Sequence, residues 1–516
     1  MAAHPAPVDR VSTPTPPVVP PVPAGLASRI ADRAPRVLVV GDALLDGWLS
    51  GPVRRLGRDG PVPVVELVHS HSTCGGAANT AANLAALGAT VDLLAVFGDD
   101  GESRTLRALL ADAGVGTDTC VIELGRTTPV KRRLVAAGQQ VARYDVAPEA
   151  PPRRSTRSAL ADALSEVLAG PTRPDAVLVA DYGLGVLTAE VRERLVALRD
   201  EIPLLVVDGR DPLGWCEARP DVVTPNAGEA AAMLGIAEPL HGRPAWAAAQ
   251  RGAMVAACGG ADVLLTLDVD GVVRLPADPA EPVLRTAAHP TAQSRACGAG
   301  DTFTAAYTLA LCADLTPEAA LAVAQAAADV VVRHEETAVC TTGALTAQLA
   351  AADRGGLLSH RDLLAVVEEH RRRGHRLVFT NGCFDVLHRG HVTYLRQARA
   401  LGDLLVVALN SDDSVSRLKG PERPVNPLPD RAGVVGAIEC VDLVTAFSDD
   451  TPGSLIEMVR PEVYAKGGDY TPEMLPETPI VERLGGQVRV LDYLSDHSTT
   501  AIVSRIRATP ATEGAR

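Results

Sequence analysis

Ala296-Cys297-Gly298-Ala299-Gly300-Asp301-Thr302-Phe303 runs directly into an alanine-rich helical pattern, and this junction decides how the larger part of the chain is read. Gly298, Ala299 and Gly300 can open a helix with bare backbone N–H groups aimed at one point, an anion site favoured by the helix N-terminus. Asp301, directly behind them, can accept a hydroxyl proton. Transfer of a phosphoryl group to a hydroxyl needs a base, a cradle for charge and a metal. A plain Gly-rich turn with an N-capping Asp has the same local sequence, so the surrounding chain must decide.

Outward from this junction, short apolar strands alternate with helices. Strands are expected at 36–42, 62–68, 91–96, 176–180, 204–207, 222–224 and 263–267. Helices are expected from 77 to about 87, at 190–199 and at 227–234. The alternation indicates an α/β domain with a mostly parallel sheet. A second, smaller α/β unit begins near 376, with strands at 404–409, 443–446, 463–465 and 488–491. The expected division is a disordered Pro/Ala-rich tail at 1–35, a first domain at 36–345, a helical linker at 346–374, a second domain at 375–508 and a tail at 509–516.

The chain has 516 residues, 47% hydrophobic and 22% charged, which is ordinary for globular protein. Aromatics are only 3%, so the cores must be built from Ala, Val and Leu. A net charge of −14 argues against a general nucleic-acid or membrane-surface binder. No apolar run approaches the ~20 residues that span a bilayer, and no signal peptide is expected. The nine cysteines form no C-x-x-C pair, which fits reduced thiols in a cytoplasm. Of 49 basic residues only Lys131, Lys419 and Lys466 are lysine, and all three lie in or near candidate phosphate sites.

Thr224-Pro225-Asn226-Ala227-Gly228-Glu229 places Asn226 and Glu229 at a strand-to-helix junction, where they could organise phosphates and a hydrated Mg²⁺. The same spacing is also a capping-box pattern. With Gly75-Gly76, Asn79 and Asn83, the region from Val37 to Leu345 resembles the ribokinase-like, or PfkB, carbohydrate kinase family. The resemblance implies Asp301 as catalytic base and Gly298, Ala299 and Gly300 as the anion hole. It implies Asn226, Ala227, Gly228 and Glu229 for ATP, with Glu229 meeting the metal through water. Asp42, Asp46, Gly75, Gly76 and Asn79 would lie on the sugar side. Two positions depart from the family pattern. Arg295-Ala296-Cys297 stands where Asp-x-Thr is common, at the monovalent-cation site, and Leu184 stands where a phosphate-meeting lysine is expected.

Cys383-Phe384-Asp385-Val386-Leu387-His388-Arg389-Gly390-His391 follows the strand at 377–380 and precedes a helix at 392–401. Two imidazoles at a helix start can both face one phosphate, and fixed donors there stabilise the charge that builds up during attack on an α-phosphorus. This segment resembles the cytidylyltransferase-like nucleotidyltransferase superfamily. The later pieces, Arg417-Leu418-Lys419-Gly420, Arg423-Pro424, Arg431, Lys466-Gly467-Gly468-Asp469-Tyr470 and Ser498-Thr499-Thr500, narrow the likeness. They resemble bifunctional enzymes in which a D-glycero-β-D-manno-heptose 7-phosphate kinase is joined to a heptose 1-phosphate adenylyltransferase.

That resemblance implies His388 and His391 as catalytic groups, and Phe384 and Lys419 at the nucleotide. Lys466 and Asp469 would meet either the sugar phosphate or the nucleotide. Ser498 and Thr499 would hold phosphates or merely cap a helix, and Arg423 and Arg431 read equally as surface salt-bridge partners. Lys131, Arg132, Arg133 and Arg143 are candidates for a sugar-phosphate clamp or simply a solvated charged face. The substrates implied are ATP with Mg²⁺ and sugar phosphates, with a separate phosphatase acting between the two steps and a homo-oligomeric state. The rival readings are the same two folds acting on a polyol phosphate with CTP, and an active transferase carrying a degraded kinase module.

Overall fold

The computed structural model describes residues 14–58, 60–288, 297–334, 337–353, 355–468 and 471–491. The chain divides into two compact units, one formed by 1–20 and 29–342, the other by 21–28 and 343–516.

The first unit holds an eight-stranded sheet, with order Leu284–Arg285, Val272–Leu275, Asp262–Thr266, Val222–Val223, Leu205–Gly209, Ala176–Asp181, Arg36–Gly41 and Thr90–Leu94. From Asp262–Thr266 to Thr90–Leu94 the strands run parallel, and the two remaining edge strands are antiparallel. Ala176–Asp181 is buried at every position, as expected of a parallel strand covered on both faces. Helix Ala299–Cys312 packs along Pro317–Val331, with Ala305, Ala306, Leu309, Ala320, Ala324 and Ala327 buried. Small side chains fill this core, as the low aromatic content requires.

A second, four-stranded sheet was not anticipated. It is ordered Gln139–Val146, Val130–Ala136, Ala43–Ser50 and His69–Gly76. Its strands are rich in Arg, His and Ser, so apolar runs do not reveal them. The strand expected over 62–68 is only Pro63–Val65, paired with Val53–Leu56.

Residues 1–13 of the expected tail over 1–35 lie outside the described residues, and the part from 14 onward is ordered into the fold. Val18 bridges Arg285, and Gly25–Arg33 is a helix with Ala24, Ala27 and Ile30 buried at a spacing of three. That apolar stripe is masked in sequence by the surrounding prolines.

The second unit is built on a six-stranded, wholly parallel sheet ordered Leu357–Leu358, Leu443–Phe447, Leu404–Asn410, Leu377–Gly382, Val463–Gly467 and Gln487–Leu491. The chain steps outward from Leu377–Gly382 and then returns to its other side at Val463–Gly467. Ligands in such sheets bind beyond the strand carboxyl ends at this switch point. The stretch expected as a linker over 346–374 is part of this unit. Leu357–Leu358 joins the sheet, and helix His360–Arg372, capped by Ser359, buries Leu363, Val366 and Val367. The charged run that follows hides this stripe. Among the described residues no helix is long and apolar enough to cross a membrane, and all nine cysteines are free.

Candidate active sites

In the first unit a cavity of about 350 Å³ gathers Asp46, Gly76, Lys131, Arg133, Arg143, Asn226, Glu229, Gly298, Gly300 and Asp301. It also brings in Asp181 and Tyr182, which precede Leu184 in the stretch that departs from the family pattern, and Asp208 and Arg210, to which no sequence motif points.

Gly298 caps the helix Ala299–Cys312 in a left-handed conformation with φ 82°. A Cβ there would come 2.7 Å from Asn79 Nδ2, so both the backbone and the packing demand glycine. A Cβ at Gly300 would meet nothing within 4 Å, and the residue lines the cavity in the first turn of the helix.

Asp301 sits in the first helical turn and is 8% exposed. Its Oδ2 accepts from Asn79 Nδ2 at 2.7 Å, and its Oδ1 accepts from the Tyr182 hydroxyl. Burial pushes its carboxyl up to about 6, against the lowering effect of those two donors. Asp208 is pushed up to about 7 by burial and by the charge of Asp301.

Asn79, expected on the sugar side, holds Asp301. Asn83 Nδ2 donates to Asn79 Oδ1 at 3.2 Å, which leaves the Asn79 amide nitrogen to face Asp301. Asn83 is itself held by Thr302 Oγ1 and the Cys340 N–H, both at 3.0 Å.

Asp42 is not a wall of the cavity. It is 1% exposed, and its carboxylate accepts the backbone N–H groups of Tyr182 (3.0 Å), Leu184 (2.9 Å) and Val186 (3.0 Å). Asp46 does face the cavity, where its Oδ1 accepts from Arg133 at 3.1 Å. Gly75 and Gly76 are sterically required. Added Cβ atoms would lie 2.3 Å from Leu44 Cδ1 and 2.5 Å from the Asp42 carbonyl oxygen respectively, and Gly76 has φ 57°.

Lys131, Arg133 and Arg143 line the cavity. Arg143 is held by a bidentate pair with Asp145, and Lys131 Nζ lies 5.2 Å above the Tyr182 ring. Arg132 bonds instead to Glu102 at 3.3 Å. Asn226 and Glu229 form a full capping box at the start of helix Ala227–Leu234, and both also line the cavity.

In the second unit His388 is the N-cap of helix Arg389–Arg399, and its Nδ1 accepts from the Gly390 N–H at 3.2 Å. That bond assigns the proton of the neutral ring to Nε2. The rings of His388 and His391 lie 4.0 Å apart, and Phe384 lies 5.2 Å from His391. Burial, then the charges of His388 and Lys419, push His391 down to about 4, so it is neutral near pH 7.

Across the switch point, Lys466 Nζ donates to Asn381 Oδ1 at 2.9 Å, and burial lowers its pKa. Arg431 is not a surface residue. It is 2% exposed and donates to the carbonyl oxygens of Asn426, Cys383 and Asn410 and to Asp412. Arg423 pairs with buried Asp385, which also takes the Val425 and Asn426 N–H groups. Asp469, Ser498 and Thr499, with Arg295 and Ala296, lie outside the described residues.

Comparisons with known proteins agree with both units. The pfkB family carbohydrate kinase model matches residues 34–343, and the cytidylyltransferase-like model matches 379–505. A protein of Pelobacter propionicus named bifunctional protein HldE is 37% identical over 482 residues, covering 92% of this chain and 96% of that one. The protein of the same name from Hahella chejuensis is 38% identical over 486 residues, covering 92% and 97%. Among solved structures, phosphofructokinase-2 of Escherichia coli in complex with fructose-6-phosphate aligns with 62% of this chain and 100% of its own at TM-score 0.51. At 18% identity that likeness concerns the fold alone. With the two domains in this order and relatives matched along nearly their whole length, the chain belongs to the bifunctional HldE family, a carbohydrate kinase joined to a nucleotidyltransferase.

Proposed function

We propose that the first unit phosphorylates O1 of a heptose 7-phosphate from ATP, and that the second joins the resulting heptose 1-phosphate to AMP. The observation that carries the kinase reading is Asp301, an ionisable carboxylate held by two donors beside Gly300 in a cavity rimmed with cations. The O1 proton passes to Asp301 as O1 attacks the γ-phosphorus and ADP leaves. The helix N-terminus at Gly298–Gly300 faces the charge of the transferred group. Lys131, Arg133 and Arg143 suit the 7-phosphate at the sugar end. Together with Arg210 they supply positive charge that Leu184 does not, which favours an active kinase over a degraded module.

The residues also fit Mg²⁺ arriving with ATP. Asp301 is buried and Asp208 half-buried, the two carboxylates repel each other, and Asn226 and Glu229 lie in the same cavity. Among the described residues no group of three or more metal-ligating side chains forms a cage. That suits an ion that keeps its waters and substrate phosphates as ligands. When bound, it neutralises charge on the phosphates; Asp208, and Glu229 through water, are the residues that would hold it.

In the second unit an oxygen of the sugar 1-phosphate attacks the α-phosphorus of ATP, and pyrophosphate leaves. The paired imidazoles of His388 and His391 bind the α-phosphate oxygens as hydrogen-bond donors. Lys466 and Lys419 neutralise the remaining phosphate charge. A separate phosphatase would remove the 7-phosphate between the two reactions. The free thiols suit a cytoplasmic setting. Self-association is supported by Val141, Tyr144 and Val146 on the fully exposed strand Gln139–Val146, and light scattering would measure it.

The test is direct: ADP release with heptose 7-phosphate, and pyrophosphate release with sugar 1-phosphates and ATP or CTP. Turnover of heptose 1-phosphate with ATP is expected. A preference for CTP with a polyol phosphate would overturn the assignment.

A further inference from the structure

Tyr182 lies between the base and the cationic wall of the kinase cavity, and its loop is clamped to an unusual degree. Asp42 takes the N–H groups of Tyr182, Leu184 and Val186, while Asp181 Oδ1 takes that of Gly183 at 3.0 Å. Asp181 is in turn fixed by Trp215 Nε1 and Arg192, both at 3.1 Å. Two carboxylates thus hold four successive or alternate amides of one short loop, and the side chain that this presents is Tyr182. Its hydroxyl donates to Asp301 Oδ1, and Lys131 lies 5.2 Å from the centre of its ring.

We infer that Tyr182 is a positioning residue of the kinase reaction: its hydroxyl, with the Asn79 amide, grips both oxygens of Asp301 and aims their remaining lone pairs at the acceptor hydroxyl. The inference rests on Asp301 being the base. A lone buried carboxylate could rotate about its side-chain torsion. Donors on both oxygens remove that freedom and keep the ionised form available near neutral pH. Burial holds the phenol well above its ordinary value, so Tyr182 remains a donor throughout the working range. Asp46 and Lys131 act on this carboxylate through their charge, and its own charge acts on Asp208 and Cys297. The side-chain hydrogen bonds that hold its two oxygens come, among the described residues, from Tyr182 and Asn79.

Tyr182→Phe tests this, because it keeps the ring and its contact with Lys131 and removes only the hydroxyl. The full-length protein is assayed for ADP formation from ATP and heptose 7-phosphate between pH 5 and 9. The expected result is an acidic limb of kcat/KM moved upward by about one pH unit, the size of one hydrogen bond to a charged group. The plateau kcat should fall about 10-fold, with the KM for sugar phosphate unchanged. Asp301→Asn is measured alongside. If it is inactive while Tyr182→Phe leaves the limb in place, the positioning role is overturned and the base stands. If Asp301→Asn keeps wild-type turnover, the base assignment fails and this inference with it. A raised sugar KM with an unmoved limb would make Tyr182 a sugar contact, again overturning the positioning role.

Discussion

Asn79 Nδ2 lies 2.7 Å from Asp301 Oδ2, and the Asn79 amide is fixed from behind by Asn83. A residue close to Gly75 and Gly76 therefore reaches Asp301, the proposed base. Asn79→Ala should cost the kinase about 10–100-fold in kcat and raise the acidic limb of its pH profile, because a donor to the ionised carboxylate is lost. Initial rates across pH would show it. A defect confined to sugar KM would contradict the assignment.

Asp301 titrates near 6, so the kinase rate should rise with pH through about 6 and then level off. Asp301→Asn should lower kinase turnover by at least about 10²-fold. Pyrophosphate release by the second unit should be untouched, which makes each molecule its own control.

Asp208 is held near 7 by burial and by Asp301, well above the 3.8 of a free Asp. A raised pKa means stability that is complete below the unfolded value and is lost as pH rises through the folded one. The first unit should therefore lose stability between about pH 4 and 7. Asp208→Asn should flatten that slope and raise the melting temperature at pH 8, as calorimetry would register.

In the second unit the sign is reversed. His391 and His370 are both pushed down to about 4, chiefly by burial. Their contribution is complete above 6.5 and is lost as pH falls toward 4. The unit should melt at lower temperature at pH 5 than at pH 7. His370→Gln should remove part of the difference without changing adenylyl transfer.

Arg431 ties three loops of the second unit together from a fully buried position. Arg431→Met would leave those carbonyl oxygens and Asp412 without their donor, at a cost of about 3–5 kcal/mol. Denaturant unfolding followed in the second unit should show a loss of that size.

The glycine and histidine motifs were legible because small residues and paired imidazoles have few other uses at a helix start. Asn226 and Glu229 were legible as a pair, and the structure gives them both a capping box and a place in the cavity. Asp208 was not. It is ordinary in sequence and becomes significant only when parallel strands bring it beside 181 and 301. Arg431 reads as a surface residue because its short helix Leu428–Gly436 gives no sign that three carbonyl groups converge on it. The four-stranded sheet escaped notice because Val130–Ala136, Gln139–Val146 and His69–Gly76 carry charged or small polar residues instead of an apolar alternation.

Asp42 stands between strand Arg36–Gly41 of the large sheet and strand Ala43–Ser50 of the small one. Its N–H donates to the Ala180 carbonyl, its own carbonyl accepts from Ala77, and its carboxylate holds the loop that carries Tyr182. One residue thus joins two sheets, the entry to a helix and the loop that carries Tyr182. A change at the junction of the sheets is therefore felt at Tyr182 and through its hydroxyl at Asp301, because the same side chain belongs to both.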